Sequence, residues 1–234
     1  MDLRSLLSRL TEYDTALLAN TIGYIDATPP ELLYMGGSVR CLTPELAPSV
    51  GVAFTAEVDS STPGQTSDTE QYWQQMEEMQ RSDMPVVWVV KAVGSRPDHE
   101  CILGDGMAKS LHSCGCIGVV TDGGVRDVTG IRSIPFAVYC KGLTIHHTAL
   151  RFVSAGKPIE VGGLTVRQGD VLHAGREGVI RIPPACIEAL PERARAMRSF
   201  ESEAHEVLRR REISGAGKRL LLGEQLTKYG FRET

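Results

Sequence analysis

The sequence predicts a single α/β domain with a helical C-terminal extension, and three observations carry that reading. The stretch "SVGVAFTAEV" alternates, with Val50, Val52, Phe54, Ala56 and Val58 on one face, which is strand periodicity. "MPVVWVV" is apolar on both faces and rich in β-branched residues, the pattern of a strand buried within a sheet. From Pro183 onward the chain turns helical, with Ala194, Met197, Ala204, Val207 and Leu208 on roughly one stripe.

The remaining elements follow in order. Residues 3–25 read as helical, with Leu3, Leu6, Leu7 and Leu10 at helical spacing and a second start near Asp14. Prolines 29 and 30 and glycines 36 and 37 punctuate the exit. After the first strand comes the polar loop "DSSTPGQTSD", then the helix "TEQYWQQMEEMQ" and the second strand. The loop "GSRPDHE" leads to "GDGMAKSLHSCG", helical from about Asp105. "CIGVVT" is a strand, "TDGGVRD" a turn and "IPFAVYC" another strand. Residues 158–182 carry short strands joined by glycines. No internal repeat, low-complexity tract or linker interrupts the chain.

Composition narrows the function classes. With 42% apolar residues in 234, the chain can bury a real core. Twenty-nine acidic residues against 25 basic ones give a net charge of −4, which offers no general field for nucleic acid or anionic lipid. The N-terminal stretch lacks the unbroken apolar region of a secretory signal, and no apolar run approaches the ~18 residues needed to cross a bilayer. A cytoplasmic protein with neither membrane nor nucleic-acid partner is therefore expected. The six cysteines suit buried thiols better than a disulfide framework.

Two segments carry candidate chemistry. "GDGMAKS" fails as a dinucleotide fingerprint, because Lys109 stands where the third glycine belongs. It also fails as a P-loop, which needs glycines at Leu103 and Ala108. A glycine-rich turn entering a helix still aims free N–H groups at one point, suited to a carboxylate or phosphate. The plainer reading is an ordinary helix start with Asp105 as its N-cap. In "TDGGVRD", Gly123 and Gly124 permit unusual backbone and a sharp turn that gathers Asp122, Arg126 and Asp127. A carboxylate there suits a divalent cation, and the guanidinium can grip a carboxylate or enolate with two hydrogen bonds. A surface turn with a local ion pair fits the same seven residues. "HSCGC" has zinc-binding atoms but no second pair at zinc-like spacing. His146 and His147 read as polar loop residues, and the arginines at 209–211 as a solvated helix face.

The order "GDGM…GVVTDGGVRD", then "IPFAVYCKG" and "VGGLTVRQGDVLHAGREGVIRIP", resembles the family of 4-hydroxy-4-methyl-2-oxoglutarate aldolases and RraA-type regulators of ribonuclease E. The resemblance is strong over about residues 50–190. It implies a swivelling β/β/α three-layer domain over residues 1–190. A helical extension over 191–234, packed on a neighbouring subunit, completes the expected architecture. It also implies a homotrimer or homohexamer with active sites between subunits, and a metal-dependent lyase acting on a small pyruvyl-containing 2-oxo acid. Gly104, Asp105, Gly106 and Met107 would bind the pyruvyl moiety, Arg126 would contact the keto acid, and Asp127 would hold Mg2+ or Mn2+. Asp105 could order a water for proton transfer. Two further readings stay open: a non-catalytic regulator of a ribonuclease, and another reaction on a sugar-derived acid.

Two features depart from the family pattern. Gly175 stands where relatives commonly carry an aspartate, and Glu201, Glu203 and Glu206 all compete for the role of an acid supplied to a neighbouring subunit. "GSRPDHECI" reads as an insertion ahead of Gly104. The segment 215–234 has apolar residues and no evident partner in its own chain, which points the same way as the expected oligomer.

Overall fold

A computed structural model of the chain describes residues 2–46 and 48–231. Its centre is the strand expected from the alternating stretch, β2 (Ser49–Asp59), which follows the two-residue β1 (Arg40–Cys41). Parallel to β2 runs β3 (Val86–Ala92), with Val52 opposite Val86 and Val58 opposite Ala92. Next come β5 (Cys116–Thr121) and β7 (Ala137–Cys140), both parallel, with β1 closing that edge antiparallel. On its other side the long β2 serves two partners. Its first half pairs with β12 (Val171–Gly175), itself paired with β13 (Gly178–Ile182), and its second half with β9 (Arg151–Ala155).

Both faces of this sheet are buried, and that requirement builds the layers. On one face Phe54, Trp88, Val119 and Val138 pack under the helices α3 (Glu70–Ser82) and α4 (Asp105–Ser113). Gln75 of α3 fastens the layer: its amide donates to the Thr55 carbonyl at 2.8 Å and its oxygen accepts from Trp88 Nε1 at 3.1 Å. On the opposite face Ala53, Val87, Val89 and Val120 pack against the hairpin of β10 (Ile159–Val161) and β11 (Leu164–Val166). Hairpin, sheet and helices thus form the expected β/β/α sequence of layers.

A second, smaller sheet lies among the helices. It joins β4 (Cys101–Leu103), β6 (Gly124–Val125) and β8 (Gly142–Leu143), all parallel. Strands of two or three residues have no readable period, so none was expected; part of the stretch read as an insertion is in fact β4. The strand β9 escaped for another reason. Its Val153 faces solvent while Ser154 is buried and donates to Glu57 at 2.6 Å, inverting the usual apolar signal.

The N-terminal helices α1 (Leu3–Leu10) and α2 (Thr15–Ile22) form a third core with α6 (Leu190–Arg209) and α7 (Gly215–Lys228). The expected stripe of α6 is buried at Ala194, Met197, Ala204 and Val207, whereas Leu208 is exposed. The expectation that the last segment has no partner in its own chain needs correction. Leu226 and Phe231 are buried with Leu7, Leu18 and Ile22, the Phe231 ring lies 4.9 Å from Tyr24, and Arg193 covers it at 4.2 Å. Residues 232–234 of that segment lie outside the described residues. Among the described residues, no helix is long and apolar enough to cross a membrane. All six cysteines are free thiols, five of them buried.

His173 of β12 ties this helical annex to the sheet. It is fully buried, its Nε2 lies 3.1 Å from the Tyr13 carbonyl and its Nδ1 lies 3.0 Å from Thr15 Oγ1. A carbonyl only accepts, so Nε2 carries the proton and Nδ1 accepts from the threonine hydroxyl. Burial pushes the imidazole's pKa down to about 4.

Two outcomes follow from this packing. Between the unfolded pKa near 6.5 and the folded value of about 4, the unfolded chain binds more protons at His173. Stability should therefore fall as pH drops through that window, by about 3 kcal/mol from this group. Urea unfolding across the window should show the slope, and His173→Gln should flatten it. Phe231→Ala should cost about 3–5 kcal/mol; a loss below about 1 kcal/mol in the same assay would mean that the C-terminal turn contributes little to the annex.

Candidate active site

The site is built where the small sheet meets α4. Gly104 is the N-cap of α4, with extended backbone (φ −123°, ψ 179°), and Asp105 is the first helical residue rather than the cap. The first intrahelical bond is Ala108 N–H to the Gly104 carbonyl, 3.0 Å. The amides of Asp105, Gly106 and Met107 therefore have no acceptor within the helix and stand at its positive end.

Across from this turn, β6 delivers Arg126 and Asp127. Pairing of β6 with β4 places the Arg126 amide 2.9 Å from the Leu103 carbonyl, one residue before Gly104. Arg126 Nε lies 3.2 Å from Asp127 Oδ2, with the two side chains 35% and 47% exposed. The Nη atoms of Arg126 make no hydrogen bond among the described residues, so the outer fork of the guanidinium is available. Gly104 makes this approach possible, since a Cβ there would stand 3.0 Å from Asp127 Oδ2 and 3.2 Å from Arg126 Nε.

Asp127 itself is in the left-handed region (φ 57°, ψ 34°) as the N-cap of the short helix α5 (Val128–Ile131). Aspartate tolerates that conformation better than most residues with a Cβ, but it still stores strain, and such strain concentrates at functional sites. The sequence reading assigned the unusual backbone to Gly123 and Gly124, and here the structure corrects it. Neither has a positive φ; each is a glycine because its neighbours are close, with Ile102 Cγ1 2.6 Å from a Cβ at 123 and Thr144 Cγ2 2.1 Å from one at 124.

Gly104, Asp105, Gly106, Met107, Arg126 and Asp127, the whole set expected from the sequence, line one cavity of about 240 Å³. Cys101, Ile102, Leu103, His147 and Leu150 complete its wall. A wider groove of about 740 Å³ shares Asp105, Arg126 and Asp127 and continues along Val125, Val128, Leu143 and Ile145, the last two strongly exposed. Another depression, of about 490 Å³, lies between α1 and the sheet, and its mostly apolar lining has no arrangement for chemistry.

Asp105, expected to order a water for proton transfer, lies in the cavity wall. Its carboxylate pairs with Lys109 at 2.7 Å, and that hydrogen bond holds its pKa below the usual range. Asp122, which the sequence grouped with Arg126 and Asp127, points elsewhere. It pairs with Lys91 and accepts from the Ala92 amide at 2.8 Å, fastening the ends of β3 and β5. Among the three candidate acids Glu201, Glu203 and Glu206 on α6, Glu203 is held by Lys228 at 2.9 Å and Tyr229 at 2.6 Å, and Glu201 by Asn20 at 3.3 Å. None of the three lines either cavity. Gly175 has a local reason: a Cβ there would meet Thr15 Oγ1 at 2.2 Å, so the start of α2 occupies the space of any side chain.

His147 is the functional candidate that the sequence reading passed over as a loop residue. Its only signal was an imidazole placed after the glycine at 142, in a segment whose course the sequence leaves open. In the fold the loop following β8 brings it into the cavity wall, beside residues from β4, α4 and β6.

A family model described as RraA-like, Aldolase/RraA, matches residues 26–181. A protein of Halalkalibacterium halodurans named "Putative 4-hydroxy-4-methyl-2-oxoglutarate aldolase" is 34% identical over 112 residues, 47% of this chain and 49% of that protein. The chain thus spans about half the length of this curated relative. Among solved structures, Streptomyces coelicolor RraAS2, described as an unusual member of the RNase ES inhibitor RraA protein family, superposes with a TM-score of 0.69. It is 22% identical and covers 86% of this chain and 96% of its own. A structure described as novel cellulases from gut-associated microbes superposes at 0.72 with 19% identity, covering 87% and 88% of the two chains. At such identities these likenesses concern the fold alone.

The geometry of Asp127 sets up a direct test of its backbone. Asparagine tolerates the left-handed region as aspartate does, so Asp127→Asn should keep stability within about 0.5 kcal/mol. The β-branched Asp127→Val should lose about 1–3 kcal/mol from strain alone. Thermal melts of the two variants side by side check the difference.

Proposed function

The chain belongs to the RraA-like family, and from that premise we propose that it is a carbon–carbon lyase cleaving a pyruvyl-containing 2-oxo acid through a pyruvate enolate. The observation that carries this reading is the convergence of a helix N-terminus, the outer fork of a guanidinium and a carboxylate on one small cavity. A site that only bound an anion would not need the carboxylate of Asp127 beside it.

The amides of Asp105, Gly106 and Met107 hold the substrate carboxylate, which fixes the reacting carbons. Arg126 reaches the keto oxygen, where negative charge grows as the C3–C4 bond breaks. A fixed guanidinium strengthens its interaction as that charge develops, which is what lowers the barrier. Beta-decarboxylation of a substrate such as oxaloacetate leaves the same enolate and makes the same demands.

A divalent cation fits beside this set. Asp127 supplies one hard oxygen donor facing the cavity, and no cluster of three or more His, Cys, Asp or Glu among the described residues would hold an ion without water. That donor set suits Mg2+ or Mn2+, ions that keep several waters, with Asp127 as the protein ligand. Such a cation supplies Lewis acidity toward the keto oxygen. The exposed Leu143 and Ile145 along the adjoining groove suit coverage by another copy of the chain, in a homotrimer or homohexamer.

The test is pyruvate release from a panel of 4-hydroxy-2-oxo acids and oxaloacetate. Turnover should vanish in excess EDTA and return with Mg2+ or Mn2+. Arg126→Lys keeps the charge but loses the planar fork, so kcat should fall about 10²–10³-fold, with KM changing less. A folded Arg126→Lys enzyme within about threefold of wild-type kcat would remove Arg126 from the enolate. Absence of pyruvate release from every substrate would instead favour a non-catalytic regulator.

A further inference from the structure

Cleavage of a 4-hydroxy-2-oxo acid requires a proton to leave the C4 hydroxyl and another to arrive at C3 of the enolate. Asp105 is a weak base for this task, because its pairing with Lys109 at 2.7 Å lowers its affinity for a proton below that of an ordinary carboxylate. Arg126 does not give up its proton in a protein. Asp127 is the carboxylate proposed for the cation. Of the cavity's remaining side chains, only His147 and Cys101 carry an exchangeable proton, and Cys101 is buried with its thiol turned toward the Leu103 carbonyl at 4.0 Å.

His147 has the features the task needs. Its Nδ1 lies 2.6 Å from the Thr148 carbonyl, and a carbonyl accepts only, so Nδ1 carries the proton. That bond fixes the tautomer and leaves Nε2 as a lone pair. Nε2 makes no hydrogen bond among the described residues, while the ring sits in the wall shared by Asp105, Arg126 and Asp127. The neighbouring His146 ring, centred 5.3 Å away, is exposed and lines neither cavity.

We propose that His147 is the proton carrier of the reaction, a further catalytic residue that accepts the substrate hydroxyl proton at Nε2 and returns it to the enolate carbon. The inference rests on the lyase reading above. In the forward direction Nε2 takes the proton from the C4 hydroxyl, the C3–C4 bond breaks, and C4–O becomes a carbonyl. The bond's electron pair passes into the pyruvate enolate. The imidazolium then protonates C3, the enolate becomes pyruvate, and His147 returns to its neutral form. One proton has moved from oxygen to carbon, and no oxidant, reductant or co-reactant is consumed. The Thr148 carbonyl faces the Nδ1–H throughout and steadies the transient cation.

Two reactions of the same protein test this. One is pyruvate release from the best 4-hydroxy-2-oxo acid of the panel. The other is exchange of pyruvate C3 protons for deuterium in D2O, followed by NMR, which needs only the enolate half of the cycle. His147→Gln and His147→Ala should both slow each reaction by about 100-fold or more, with KM little changed and thermal melts close to wild type. Added imidazole should restore part of the rate to His147→Ala and none to His147→Gln, whose side chain fills the space. If wild type performs both reactions and the variants stay within about threefold of it, or if imidazole rescues nothing, His147 is not the carrier and the lyase reading stands. If wild type performs neither reaction, the lyase reading fails and this inference falls with it.

Discussion

The backbone pairing of β4 with β6 is the contact on which the candidate site depends. A single bond from the Arg126 amide to the Leu103 carbonyl, 2.9 Å long, sets the end of one strand beside the end of the other. Because α4 begins immediately after β4 and the Arg126–Asp127 corner immediately after β6, that register puts the helix amides opposite the guanidinium. A slip of one residue would turn Arg126 to the other side of the strand and empty the cavity of its cation. Strands this short cannot hold register by themselves, and buried polar contacts do it for them. Glu100, 1% exposed, accepts from the Ser60 amide at 2.9 Å and from Ser61 Oγ at 3.0 Å, while its own carbonyl accepts from the Gly124 amide at 2.9 Å. The polar ends of β2, β4 and β6 are thereby knotted together behind the cavity.

The charges around the cavity are placed by the same economy. Lys109 lies one helical turn after Asp105 and pairs with it, and Gly130 of α5 leaves the room, since a Cβ there would stand 2.6 Å from Asp105 Oδ2. Asp122 is spent on Lys91 and the end of β3. What remains toward the cavity is the outer fork of the Arg126 guanidinium, the N-terminus of α4 and the Nε2 of His147, together with a carboxylate held in a strained backbone. That inventory favours an anionic ligand whose charge shifts between oxygens during reaction, and it separates the anion-binding task from the proton-carrying one.

The helical annex has a different role. Its helices bury their own core against β12 and β13, and the link runs through His173 and Thr15, remote in sequence from the cavity residues. Gly175 marks where this annex presses on the sheet: α2 fills the volume that a side chain at that position would need. Glu201 and Glu203 of α6 are bonded within this annex, and a loop residue after β8, His147, lines the chain's own cavity.

Much of this was legible in the sequence, and for definite reasons. The long strand β2 announced itself by alternation and β3 by being apolar on both faces, and α6 through helical spacing. The residues Gly104 to Met107 with Arg126 and Asp127 were grouped through the order of their motifs, which resembles the RraA-like family, and the fold brings all six to one cavity. The sequence could not display the small sheet, whose strands are too short for any period, nor β9, whose buried serine and exposed valine invert the apolar code. It grouped Asp122 with the site because adjacency in sequence was the only measure at hand, whereas in the fold that carboxylate pairs with Lys91 and the Ala92 amide. His147 and the burial of Phe231 were decided by tertiary structure alone. A loop's course and the docking of a terminal helix depend on contacts between residues distant in sequence, and no local pattern encodes where those contacts fall.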